Sequence, residues 1–506
     1  MNNPKEEPQN NVSQINEHST KNHILYKILY PNSVCIFGAN NNLIGTMGSM
    51  MCRNLISDFQ GQIFPIHPNL EEVQGLKAYK NVLDLPEIPD LAHIVLPPRV
   101  VPQVLEECGQ KGIKRAIIVS GGFRESRHAD GVDLSQKIDE IAKKYNIRFI
   151  GPNCLGVYNG YAGLNTFWAY LTHKIGNISI ASQSGTFASL TAWHTRDIGV
   201  KIGKSISVGN ERNIDLVDVL EFYKDDPQTS VIGLYIEEIK RGKRFINLAK
   251  EITPKKPIVA IYTGGSAGSA ASRSIKSHTG SIAGDTRIYD AMFKETGIIS
   301  TDSVVDFLYY LRTLSYAQTY NIFPKGKRVG IITDSGGSGS LMTKLTEKYG
   351  LEVPEFSKEL QDQISELIPP TASGANPVDI TFFREFYNFF MKLPKLIIKS
   401  GEVDCILFSD VFDIQEINDI VEQSGGSVDN MMKNVVKSFY TNLTKPIHRL
   451  ARKYSVPIFY SGPQFYSYQG YREFIDSDIP IFELWDAPPK CMAMLVEYSR
   501  YRRNNS

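Results

Sequence analysis

The sequence has no paired-cysteine spacing: Cys35, Cys52, Cys108, Cys154, Cys405 and Cys491 are scattered singly, mostly in apolar runs. This excludes a CxxC redox or zinc motif and predicts buried free thiols in a reducing compartment. An excess of one charge is also missing. Lys and Arg number 55 against 54 Asp and Glu, a formal net charge of +1, so no global field recruits nucleic acid or an anionic membrane. No apolar run approaches the roughly 20 residues that a membrane helix needs. Residues 1 to 22 are polar, with neither an apolar signal core nor an Arg-rich amphipathic pattern. The expectation is a soluble, cytoplasmic protein with a loose tail over residues 1–24.

A dinucleotide fingerprint is absent too. The first apolar run, SVCIFGA, leads into GANNNLIGTMG, whose glycines at 38, 45 and 48 do not match GxGxxG. The second, QIFPIHP, ends without the acidic residue that would clamp a ribose. A nicotinamide dehydrogenase is therefore disfavoured.

What the chain does have is strand and helix alternation. After the tail, SVCIFGA, QIFPIHP, AHIVLPP, RAIIVSGG and IRFIGPN are short enough for buried parallel strands. They alternate with stretches such as VPQVLEECGQKG, which sets Val101, Val104, Leu105 and Cys108 on one helical face. A second series opens with NISIASQSG and a third with RVGIITDSGG. The weakly periodic SYAQTYNIFPKGK at 315–327 predicts a boundary between them. At 506 residues the chain has room for about three domains. The predicted class is α/β: a Rossmann-like domain over 25–155, then two flavodoxin-like parallel-sheet domains over 156–318 and 319–506.

The chemistry-bearing signals fall at strand ends. Ser184, Gly185 and Thr186 in SQSGT, and Gly336, Gly337, Ser338 and Gly339 in DSGGSGS, each sit between a strand-like run and a helical one. Such helix starts aim backbone N–H groups at an anion. His278, in SRSIKSHTGSIAGD, has small neighbours that leave an imidazole accessible to phosphate. A neutral imidazole is nucleophilic near neutral pH and passes a phosphoryl group onward. Such a histidine needs a carboxylate to fix its tautomer. Glu237, in the strand-like GLYIEEI, falls near the strand end where α/β sheets place ligands, with Glu238 on the opposite face.

Thirteen ordered stretches, among them QGLKAY, GPNCLGVYN, ASQSGTFA, YIEEIKRGKRF, SHTGSIAGD and NPVDIT, give the chain from about residue 25 to about residue 500 a further meaning. It resembles the alpha subunit of ADP-forming acetate–CoA ligases, within the NDP-forming acyl-CoA synthetases related to succinyl-CoA synthetase. The resemblance implies that His278 is phosphorylated, that Glu237 orients it, and that the two Gly/Ser helix starts hold the phosphate. It places Pro152, Asn153 and Cys154 beside the acyl site, and Gly38, Ala39, Asn40, Asn41, Pro97, Ser120 and Gly121 at CoA. It also implies that His278 travels on a mobile loop to a separate ATP-grasp beta subunit, which holds ATP or ADP with Mg²⁺ in an α2β2 assembly.

The chain departs from the family pattern at Asn40 to Leu43, at Glu238 where Gly is usual, and at Asn213 where Asp is common. The last ~100 residues match least. The rival reading is a CoA-binding or acyl-CoA-sensing module without catalysis. Retention of His278, Glu237 and both helix starts argues against it, because CoA binding alone requires none of them.

Overall fold

The computed structural model describes residues 17–125, 130–169, 174–194, 198–265, 270, 284–381, 387–409, 414–426, 442, 445–462 and 469–505. Its contacts divide the chain into two compact units. One comprises Met1–Trp193, Ile202–Ile252 and Tyr262–Met292; the other comprises His194–Lys201, Thr253–Ile261 and Phe293–Ser506.

The first unit opens with strands β1 (Ser33–Phe37) and β2 (Gln62–Ile66), a short hairpin β3 (Glu72–Val73) and β4 (Leu76–Lys77), then β5 (Leu91–Ile94), β6 (Arg115–Ile118) and β7 (Arg148–Ile150). The main sheet is parallel, in the order β2-β1-β5-β6-β7. One face packs Cys35, Phe37, Ala92, Ile94 and Ile118 against Val101, Val104, Leu105 and Cys108 of the helix Val101–Lys111, the face that the spacing predicts. That helix stops at Gly112, whose φ of +100° is accessible to glycine at little cost.

The same unit contains a second sheet with β8 (Val157–Asn159), β9 (Leu164–Asn165), β10 (Ile178–Ser182), β11 (Ile202–Ser207) and β12 (Val231–Ile236). Strand β10 lies between β11 and β12, parallel to both, whereas β8 runs antiparallel to β11 and β9. The antiparallel edge is not part of the sequence reading, because its two- and three-residue strands are too short to show a period. Lys204 on β11 is buried and ion-paired to Asp226 at 2.8 Å, an arrangement that tolerates loss of neither partner.

In the second unit β13 (Ile258–Tyr262) pairs in parallel with β14 (Ile299–Ser300) through Val259 and Ala260. A separate parallel sheet follows the order β16-β15-β17-β18-β19, formed by β15 (Val329–Thr333), β16 (Val378–Asp379), β17 (Cys405–Phe408), β18 (Ile458–Ser461) and β19 (Ile481–Phe482). Phe390, Phe408 and Tyr460 stack beside it.

The helix Val304–Tyr320 continues through SYAQTY, where weak periodicity predicts a break, and ends at Asn321 with φ +51°. Phe307 to Leu314 are all buried, so the helix presents no single apolar stripe for a periodicity argument to detect. All six cysteines are buried free thiols, as expected. Among the described residues no helix is long and apolar enough to cross a membrane.

Candidate active site

Strand β1 delivers the chain to Gly38, whose φ is +87° and where a Cβ would lie 1.9 Å from the Val95 carbonyl oxygen. Only glycine fits this turn. The helix Met47–Asp58 begins close by, capped by Thr46, which accepts from the Ser49 N–H at 3.2 Å.

The side chains at the next two positions have local work. The Asn40 carboxamide accepts from the Asn42 N–H at 2.8 Å. Asn41 donates to the Glu72 carbonyl at 3.1 Å and accepts from the Gln74 N–H at 2.6 Å, tying the loop to the β3–β4 hairpin. Gly38, buried Ala39, Asn40 and Asn41 therefore shape the loop, and none of them lines the adjoining cavity.

That cavity, of about 490 Å³, joins three groups of residues picked out by the sequence. Pro97, Ser120 and Gly121 contribute one wall, Asn153 and Cys154 another, and Ser184, Gly185 and Thr186 a third. Asn153 is held by its N–H donating to the Ser120 carbonyl at 2.8 Å. Its carboxamide donates to Asn210 at 3.2 Å, and Asn210 in turn donates to Glu125 at 2.6 Å. Cys154 donates to the Ile118 carbonyl at 3.3 Å, and burial pushes its thiol up to about 12. It is a packing group rather than a nucleophile.

Pro152, bonded to Gly151 through a cis peptide, turns away to line a neighbouring polar cavity. Among the described residues, none lining the 490 Å³ cavity carries a formal charge. The positive end of the helix Gly185–His194 is therefore its main electrostatic feature.

Glu237 is buried just beyond the end of β12. The adjacent Gln183, which also lines the cavity, accepts from the N–H groups of Glu237 and Glu238 at 2.5 and 3.0 Å and donates to the Glu238 carbonyl at 2.7 Å. Glu211 is a second buried carboxyl. Burial lifts it to about 7 despite the opposing charge of Lys240, whose ammonium is 3.9 Å away.

His278 lies outside the described residues. The described chain on either side of it is anchored next to Glu237. The Thr263 N–H donates to the Ile236 carbonyl at 3.0 Å. Tyr262 donates to the Gly284 carbonyl at 2.8 Å and stacks on Tyr289 at 3.7 Å, and the Tyr289 hydroxyl accepts from the Ile239 N–H at 3.0 Å.

In the other unit, the helix Gly336–Lys348 starts at Ser335 with no side-chain cap. A Cβ at Gly339 would meet Thr333 Cγ2 at 2.6 Å, so packing explains that glycine; at Gly337 a Cβ would meet nothing within 4 Å. Steric need among the described residues therefore does not account for Gly337. Two carboxylates flank this start: buried Asp334, and Asp379, whose Oδ2 is 3.0 Å from the position of a Cβ at Gly336. They oppose an incoming anion.

The sequence reading passed over Gln183, Glu211, Asn210 and the tyrosine pair. Gln183 lies inside SQSGT, but only its three-dimensional bonds distinguish it from an ordinary loop residue.

Residues 32–160 match a CoA binding domain, 175–314 a succinyl-CoA ligase like flavodoxin domain and 329–390 a ligase-CoA domain. The fold is thus a Rossmann-like CoA-binding domain followed by flavodoxin-like ligase domains. A Pyrococcus furiosus ADP-forming acetate–CoA ligase II subunit alpha is 36% identical over 377 residues, covering 74% of this chain and 80% of the relative. The ADP-forming acetate–CoA ligase of Methanocaldococcus jannaschii is 41% identical over 353 residues, covering 70% of this chain but 48% of the relative.

A dinucleotide forming acetyl-coenzyme A synthetase 1 from Ca. Korarchaeum cryptofilum, solved with phosphate and ADP, superposes with a TM-score of 0.79 at 29% identity, covering 95% and 97% of the two chains. The chain belongs to the family of ADP-forming acetate–CoA ligases.

Proposed function

We propose that this chain is the CoA-binding, phosphohistidine-carrying alpha subunit of an ADP-forming acid–CoA ligase. The observation that carries the reading is the shared cavity. It brings the CoA-domain residues Pro97, Ser120 and Gly121, the Asn153–Cys154 loop and the helix start at Ser184 to one space.

In the acyl-CoA-consuming direction, a phosphate oxygen attacks the thioester carbonyl and the C–S bond breaks, giving an acyl phosphate and CoA. A His278 ring nitrogen then attacks phosphorus, the P–O bond to the acyl group breaks, and the carboxylic acid leaves. ADP takes the phosphoryl group from His278 as the P–N bond breaks. Reversal activates an acid with ATP. Two transfers between groups of similar energy replace one difficult exchange.

The chain's residues supply position and field. Gly38, Ala39, Asn40 and Asn41 shape the loop against which CoA lies, and Pro97, Ser120 and Gly121 continue that surface toward the acyl group. Asn153 and Cys154 form the acyl-side wall, and Pro152 turns the chain between this cavity and its polar neighbour. The N–H groups at Ser184, Gly185 and Thr186 hold phosphoryl oxygens, and Gly336, Gly337, Ser338 and Gly339 have the same anion-holding role at their own helix start. Glu237 accepts from the second His278 nitrogen, fixing the tautomer that leaves the other free to attack. ATP, ADP and Mg²⁺ belong to a separate ATP-grasp beta subunit, in an α2β2 assembly.

The test is phosphohistidine formation. Wild type and His278→Ala are incubated with the partner, Mg²⁺ and γ-labelled ATP. The expected result is an acid-labile, alkali-stable label on the wild-type chain, absent from the variant and discharged by ADP. An unlabelled wild type beside a demonstrably active partner overturns the reading and leaves a CoA-binding module.

A further inference from the structure

The carboxamide of Gln183 does not behave as a surface loop group. It is buried at the point where β10 gives way to the helix Gly185–His194. Its backbone N–H donates to the Tyr235 carbonyl at 3.2 Å. Its side-chain oxygen receives two consecutive backbone N–H groups, those of Glu237 and Glu238, and its nitrogen returns a bond to the Glu238 carbonyl. Because backbone N–H groups only donate, they fix which end of the amide is oxygen. The strand end bearing Glu237 is thus locked to the start of the helix that faces the cavity.

The same carboxamide faces the buried carboxyl of Glu211, whose charged form it favours. Glu211 is itself held at φ +50°, with its carboxylate accepting from the Leu216 N–H at 2.8 Å. Lys240 donates to the Asn210 and Glu211 carbonyls at 2.7 and 2.8 Å. The other charged or titratable groups around Glu211 are Asp215, Tyr289 and, along the neighbouring 290 Å³ cavity, Arg124, Asp139 and Arg212. Glu237 and Glu238 stand on the other side of the Gln183 amide.

We propose that Gln183 is a positioning residue for phosphoryl transfer: oriented by the backbone of Glu237 and Glu238, its carboxamide sets Glu237 against the helix start at Ser184. The proposal rests on the reading of Glu237 as the partner of His278. A group at position 183 must both accept from two N–H groups and donate to a carbonyl. An amide does this at any pH; a carboxyl does it only while protonated.

The test compares labelling rates of the assembled enzyme for wild type, Q183L, Q183E and Q183E/E211Q, with folding monitored by circular dichroism. Q183L is expected to slow labelling roughly 10- to 100-fold at all pH values, the scale of a small misplacement at a reacting centre. Q183E should label near the wild-type rate at about pH 6, where one proton serves the two facing carboxyls, and fall by a similar factor at about pH 8, where both ionise. Q183E/E211Q removes the like charge that keeps position 183 protonated, so it should stay slow at the higher pH, where the lone carboxyl ionises and cannot donate to the Glu238 carbonyl.

Wild-type rates in Q183L overturn the proposal. So does a Q183E-to-wild-type ratio that does not change with pH; that comparison stands even if Q183L fails to fold. If wild type labels on His278 while the Q183E ratio stays flat, only the role of Gln183 falls. If wild type takes no label beside an active partner, the phosphohistidine reading falls and takes this proposal with it.

Discussion

At the scale of single residues, the adjacent acids Glu237 and Glu238 separate what a side chain does from what a backbone does. Glu237 is buried at the end of β12, beside the anchored ends of the segment that contains His278. Replacing it by Gln keeps its shape but removes the carboxylate to which the proposed function gives the orientation of the His278 imidazole. E237Q should slow label formation by roughly 100-fold or more in a single-turnover assay, on the scale of lost acid–base assistance. Glu238 is held through its N–H and carbonyl by Gln183. E238G leaves those groups in place and restores the usual family residue, so its labelling rate should stay within about threefold of wild type, as expected for a change that adds no transition-state interaction. Sequence position alone separated the two acids through the alternation of faces in a strand; the Gln183 bonds become visible only when β10 and β12 are side by side.

At the scale of elements, β5 contains a group whose ionisation works against the fold. His93 is fully buried and, among the described residues, neither ring nitrogen has a hydrogen-bond partner. Burial lowers it from 6.5 to about 3. The unfolded chain therefore binds a proton below about pH 6.5 while the folded chain refuses it until about pH 3. This contribution is fully present above about pH 6.5 and is lost as the pH falls, with a slope approaching about 1.4 kcal/mol per unit. Between pH 6.5 and pH 5 wild type should lose roughly 2 kcal/mol through this group. Urea unfolding of H93L should show a correspondingly shallower acid slope; equal slopes would sink the assignment.

The element scale also shows where sequence patterns speak. Strands that run through the interior of a parallel sheet, such as SVCIF and VGIIT, are legible because both faces are apolar. So is the helix Val101–Lys111, with its one buried face. Two-residue strands such as β9 and β16 carry no period, and Val304–Tyr320 conceals its helical period by being buried on most sides. The candidate site divides in the same way. Gly38 and the small residues at Ser184 and Gly337 advertise turns and helix starts, whereas Gln183, Glu211 and Asn210 act through partners distant in sequence.

At the scale of the whole molecule, the proposed function divides the reaction between two partners. The chain spans 80% of a relative named as an alpha subunit but 48% of a relative named as the ligase with no subunit specified. Its three matched regions are a CoA binding domain and two ligase domains, and the proposed function gives nucleotide chemistry to an ATP-grasp partner. Among the described residues, the cavity described above is lined by no charged side chain to neutralise a triphosphate. A helix start, with its partial positive charge, suits one phosphoryl group better than three. With γ-labelled ATP and Mg²⁺ but no partner, the chain should therefore remain unlabelled even after long incubation. Adding the ATP-grasp subunit should produce the label, and chelating the metal before ATP is added should abolish it. Label appearing on the isolated chain would mean that this chain binds ATP productively by itself, and the division of labour would have to be redrawn around a nucleotide site within it.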